Sequence, residues 1–223
     1  MLNRIFASHY TLGINMGHRT KYKPDALLSK YRAIRNSISA REFFRSPKHQ
    51  KTMEIWCAAH FSRAFDRYVS PCEVLIDDMD IQTDVDFELD MGGVLHPFQV
   101  TEVMEPGRRR GDEYRIGEPV GARDDDIETG TALGATWVRA ALAHKLAKGY
   151  ADVEKLNLLA YLNFAGRSQQ YEHLRSTCVG VAERFGSVWL LNGNTLCCIH
   201  PNQDIPSWEG WMVIEESLAN ADV

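Results

Sequence analysis

Between Asp84 and Val103 the chain sets down two β-like runs on either side of a Gly92-Gly93 pair. In Asp84-Val85-Asp86-Phe87-Glu88-Leu89-Asp90 every second residue is a carboxylate and the residues between are apolar. A period of two is that of a strand with one wet face and one buried face. Paired glycines reach the positive φ angles of a tight turn, so the stretch predicts a β-hairpin. With the two glycines as the loop, Phe87 falls opposite Phe98 and Val85 opposite Val100 on one face. Asp86 then faces Gln99, and Asp84 faces Thr101, on the other. Carboxylates gathered this closely repel one another unless a cation or a basic partner lies among them. A metal site is therefore the first functional expectation.

The 223 residues suit one sizeable α/β domain, or a domain with an extension. No stretch approaches eighteen uninterrupted apolar residues, so no membrane span is expected. The first residues lack the apolar run of a secretory signal. Cys57, Cys72, Cys178, Cys197 and Cys198 are odd in number and form no CxxC pair, which predicts reduced core thiols in a cytoplasmic protein. Charge is unevenly placed: residues 1–52 hold eleven Lys and Arg against two acids, whereas the whole chain carries −5, so the remainder holds −14. Such a basic arm follows a phosphate backbone or packs against its own acidic body.

Residues 1–24 show little periodicity and read as an irregular lead-in. Pro24-Asp25 opens a predicted helix reaching Ile38, and an amphipathic helix is predicted from about His49 to Tyr68. Glu73–Asp77 and the two hairpin arms give three strands in a row. Residues 111–130, with Asp124-Asp125-Asp126, read as a polar surface excursion. A helix follows over Glu128–Ala151 with Gly149 as its stop, then a buried strand over Lys155–Phe164 and a helix over Ser168–Phe185. Ser187–Ile199 forms a terminal hairpin about Asn192-Gly193-Asn194. The fold class is thus α/β, a mixed sheet flanked by helices. The expected organisation is a basic N-terminal extension (1–47), one α/β domain (48–200) and a C-terminal tail (201–223).

This order, with carboxylates on the second and third strands, resembles the restriction-endonuclease-like fold of the PD-(D/E)XK nuclease superfamily. In that family one strand supplies an Asp, the next supplies Glu, Asp or Gln, any residue, then Lys, and a helical Glu often assists. The resemblance puts Asp86 in the first role, Gln99-Val100-Thr101 in the second and Glu54 in the third. It implies an α-β-β-β-α-β core and metal-dependent cleavage of DNA phosphodiester bonds. Thr101 stands where the family has Lys; Arg108, Arg109, Arg110 or Lys145 is then expected to supply that charge. Glu102 offers a second frame for the metal-binding acid, and the choice between Gln99 and Glu102 stays open.

On that resemblance Mg²⁺ or Mn²⁺ would be held by Asp86 and by Gln99 or Glu102, with Glu54 or Glu73 contributing from outside. Bound in this way, the metal would activate water. Arg108, Arg109 and Arg110, together with Lys21, Lys23, Arg32 and Arg35 of the basic segment, would hold the DNA backbone through their charge. The alternative expectation is a catalytically degenerate module of the same fold that binds nucleic acid or a protein partner, or a further copy of itself. No GxSxG, GxGxxG or Walker loop is present.

Overall fold

The computed structural model describes residues 19–39, 42, 50–77, 84–108, 124–167 and 169–214. Eight strands line up in chain order: β1 (Arg19–Tyr22), β2 (Glu73–Asp77), β3 (Phe87–Met91), β4 (Val94–Val103), β5 (Asn157–Leu162), β6 (Ser187–Asn192), β7 (Thr195–His200) and β8 (Met212–Val213). Four α-helices are described: α1 (Pro24–Asn36), α2 (Gln50–Tyr68), α3 (Asp124–Leu146) and α4 (Tyr171–Ala182). Adjacent strands are antiparallel except β4–β5 and β5–β6, which are parallel. Parallel neighbours need a crossover, and α3 and α4 provide the two crossovers. The protein is therefore a mixed α/β sheet with a helical layer on each side.

The β3–β4 hairpin has the register that the alternation predicts, with Phe87 opposite Phe98 and a two-residue turn. Gly92 and Gly93 have φ of 63° and 93°, and the Gly93 N–H donates to Asp90 Oδ1 at 2.7 Å, which closes the turn. Phe87 and Phe98 stack at 4.9 Å, and Phe61 of α2 lies 5.0 Å from Phe98 and 5.2 Å from Trp189. This aromatic cluster centres the core under α1 and α2. Across the sheet, α3 and α4 bury Val138, Leu142 and Leu174 against Leu158, Leu190 and Val188. A polar relay crosses the parallel strands. Trp189 Nε1 donates to Ser187 Oγ (2.9 Å), Ser187 Oγ to Asn157 Oδ1 (2.7 Å), and Asn157 Nδ2 to the Pro97 carbonyl (3.0 Å). All three side chains are buried, so each polar atom in the relay needs its partner.

Several boundaries differ from the expectation. Residues 19–36 are no appendage to the domain: β1 pairs with β2, and Leu27, Leu28 and Tyr31 of α1 lie in the core. Four residues, Arg-Thr-Lys-Tyr, are too short and too polar to advertise a strand. The segment after 200 likewise joins the fold, since β8 pairs with β7 and Ile205, Trp208 and Ile214 pack against the aromatic core. Asp124, Asp125 and Asp126 form the first turn of α3, where acids favour the helix dipole, and not a loop. Among the described residues no helix is long and apolar enough to cross a membrane. All five cysteines are buried and free, and burial pushes Cys72 and Cys198 up to about 12.

Phe98→Ala, at a site of 0% exposure between two rings, is expected to cost about 3–5 kcal/mol. Urea unfolding with an unchanged m-value measures it; a cost under about 1 kcal/mol would mean the cluster does not anchor the sheet.

Candidate functional site

Asp86 sits immediately before β3, where the ladder to β4 opens. Its backbone N–H still donates to the Phe98 carbonyl (2.9 Å), and its side-chain Oδ2 accepts the Val100 N–H at 2.7 Å. The carboxylate therefore takes over an acceptor role that backbone supplies elsewhere in the ladder. On the α3 side of β4, Gln99 is buried, and its Oε1 accepts from Lys145 Nζ at 2.5 Å and from the Tyr150 hydroxyl at 3.0 Å. Lys145 belongs to the last turn of α3, where cations suit the helix dipole. Gly149, at φ 72°, then turns the chain so that Tyr150 returns to Gln99. From α2, Lys51 Nζ lies 3.2 Å from Glu54 and 3.4 Å from the Asp86 carbonyl.

The charges in this cluster act strongly on one another because water is largely excluded. Burial, and then the negative charge of Glu54, push Asp86 up to about 6 against the downward pull of the Val100 N–H, Lys145 and Lys51. Lys145 is lowered by burial, with Asp86 opposing the shift. Tyr150 is raised, first by burial and then by Asp86 and Asp84. A carboxyl with a raised pKa, a desolvated ammonium and a second nearby carboxylate form an arrangement suited to proton transfer or to holding a cation.

Asp86, Glu54 and Lys145 thus lie near enough to act on one another's charge, and Lys145 also reaches Gln99. Thr101 lies on the Gln99 face of β4, opposite Ala160 of β5. Glu102 points the other way: it pairs with Tyr161, on the α2 side of the sheet, and accepts from Asn163 Nδ2 at 2.7 Å. Among the described residues no three His, Cys, Asp or Glu side chains gather as ligands for one ion. Of the residues expected to hold a backbone, Lys21 forms ion pairs with Asp90 and Glu73, and Arg35 donates to the Ile38 carbonyl. Arg108 donates to the Asn163 carbonyl; Lys23 precedes α1 as its N-cap, and Arg32 is half-buried on that helix. Arg109 and Arg110 lie outside the described residues. Lys51 and Tyr150 were missed as site residues. In the sequence Lys51 is one of eleven cations before residue 53 with nothing to set it apart. Tyr150 reaches the site only through the turn at Gly149, which by pattern signals no more than a helix stop.

No protein-family model and no curated protein matches the chain. A solved structure from Pseudomonas aeruginosa strain PAO1, a protein of unknown function described as monooxygenase superfamily, is similar at 16% identity. It covers 88% of this chain and 98% of its own, with a TM-score of 0.43, a likeness too distant to convey an activity. The restriction-endonuclease-like identification and the DNA-cleaving or DNA-binding function drawn from it are corrected on these findings. Within the expected metal set, Gln99 and Glu102 lie on opposite faces of β4, so Asp86, Gln99 and Glu102 do not converge on one ion. The Asp-then-Gln pattern behind the identification was too short a motif to specify a family.

Folding holds the Asp86 proton more tightly than the unfolded chain, whose carboxyl stays near 3.8. The contribution of Asp86 to stability is therefore fully present below about pH 4 and is lost as pH rises through 6. Asp86→Asn is expected to be more stable than wild type by about 1–3 kcal/mol at pH 7.5, with the gap closing by about pH 4. Paired denaturation curves across that range measure it, and a gap independent of pH would refute the assignment.

Proposed function

We propose that this protein is an enzyme whose centre joins Asp86, Glu54 and Lys145, working with a hard divalent cation, Mg²⁺ or Mn²⁺. Asp86 and Glu54 would hold the ion. The ion would supply polarisation of a bound water, and Lys145 would offset negative charge developing on a substrate oxygen. The reaction class is addition of an activated water to an electrophilic centre.

The observation that carries the reading is the convergence of two carboxylates, a buried ammonium and a buried amide, contributed by α2, the approach to β3, α3 and β4, on one end of the sheet. The donor set suits such an ion. Asp86 spends Oδ2 on the Val100 amide and keeps Oδ1, and Mg²⁺ keeps several waters while binding through one or two carboxylates. Lys51, paired with Glu54 and bonded to the Asp86 carbonyl, is the cation that a divalent ion would displace from Glu54. Glu102 has no part in this set.

Calorimetric titration with Mn²⁺ is expected to show one ion per chain, with Asp86→Asn and Glu54→Gln each weakening it roughly tenfold or more. Undiminished binding by Asp86→Asn would overturn the reading. Lys145→Met should leave the ion bound while lowering cation-dependent turnover, sought over a panel of chromogenic esters, by roughly a hundredfold.

A further inference from the structure

Gln99 is 5% exposed, and its side chain has a definite polarity. An ammonium has donors and no acceptor, so the Gln99 atom 2.5 Å from Lys145 Nζ is the amide oxygen. The Tyr150 hydroxyl donates to the same oxygen at 3.0 Å, and an amide oxygen has two lone pairs. Both are therefore in use. The other limb of the amide, Nε2, carries two N–H donors, and among the described residues it makes no hydrogen bond. Nε2 is not one of the sealed, unpartnered polar atoms among the described residues, so this limb is the part of Gln99 that reaches the surface. With its oxygen held by two donors, the amide offers its N–H pair there in a fixed orientation. The group those N–H donors suit is an oxygen and not a metal ion, because N–H groups and cations repel.

We infer that Gln99 serves this site as a hydrogen-bond donor to an oxygen of the bound ligand, a carbonyl or an oxyanion, and that Tyr150 is the positioning residue that fixes its amide in that sense. The inference rests on the proposed site but not on its cation. Lys145 performs two tasks here: it holds the amide oxygen, and it gives the ligand oxygen a positive neighbour. Tyr150 adds a second, neutral lock, which prevents the amide from reversing when Lys145 turns toward the ligand. In Tyr150→Phe the ring and its packing remain while the lock is lost.

The test is a side-chain amide NMR titration of the full chain, with the Gln99 signal assigned by its disappearance in Gln99→Leu. Inorganic phosphate and acetate are added separately without metal, and Mg²⁺ is added separately without either anion. At least one anion is expected to move the Gln99 amide protons downfield in a saturable way; phosphate alone would indicate a tetrahedral oxyanion, and acetate alone a planar one. Tyr150→Phe is expected to weaken that response roughly two- to tenfold and to leave Mg²⁺ affinity, read by calorimetry, unchanged within about twofold. A Gln99 amide unmoved by both anions would overturn the inference. So would a loss of Mg²⁺ affinity in Tyr150→Phe as large as that in Asp86→Asn, because Gln99 would then be acting through its oxygen as a ligand. Absence of Mg²⁺ binding in wild type would sink the cation reading alone, since the anion titrations contain no metal.

Discussion

The arrangement of this molecule follows from the double role of β4, which pairs antiparallel with β3 and parallel with β5. A hairpin suffices for the first pairing. The second requires the chain to leave the sheet, cross over one face and return at the same end. Helix α3 is that return path, so its C-terminal turn comes back beside the beginning of β4 and β5. Lys145 is delivered to Gln99 in this way, 46 residues along the chain. The proposed centre thus lies where the sheet changes from antiparallel to parallel pairing, a place where backbone groups of β4 meet two different ladders and a side chain can intervene between them.

The hairpin carries two aspartates that experience opposite environments. Asp90 is held below the ordinary carboxylate range, first by Lys21 and then by the Gly93 N–H, whereas Asp86 is raised to about 6 by burial and by Glu54. Separation of this kind divides structural from chemical carboxylates. Strand β1 accounts for much of the difference. Arg19 pairs with Glu88 and Lys21 with Asp90, so the basic segment neutralises the far part of the acidic face. Nothing equivalent from β1 reaches Asp86, whose cations Lys145 and Lys51 come from the helices on either side. The charge asymmetry visible in the sequence is thus resolved inside the fold to a considerable degree.

Much of this was legible in the residues. The alternation from Asp84 to Asp90 and the Gly92-Gly93 pair specify the hairpin register, because a slip of one residue would send Phe87 into water. The helical period identified α2 within a residue of its start. Short polar elements such as β1 and β8 have no such period and are stabilised by neighbours distant in sequence. The hairpin register alone sets Asp86 opposite Gln99 and turns Glu102 to the other face, whereas Glu54 was expected only through the resemblance. Tyr150 depends on the φ of a single glycine, which no hydrophobic pattern encodes.

The relay from Trp189 through Ser187 and Asn157 to the Pro97 carbonyl has a consequence for how tightly the centre is defined. Apolar parallel strands such as Leu158-Leu159-Ala160 and Val188-Trp189-Leu190 are nearly interchangeable in offset, since every alternative still buries hydrocarbon. A hydrogen-bonded chain across β4, β5 and β6 works as a notch: any sliding of one strand would strand at least two buried polar atoms. Pro97 stands two residues before Gln99, so the notch also indexes the amide against Lys145. Sequence drift among the apolar residues of these strands can then proceed without moving the chemistry.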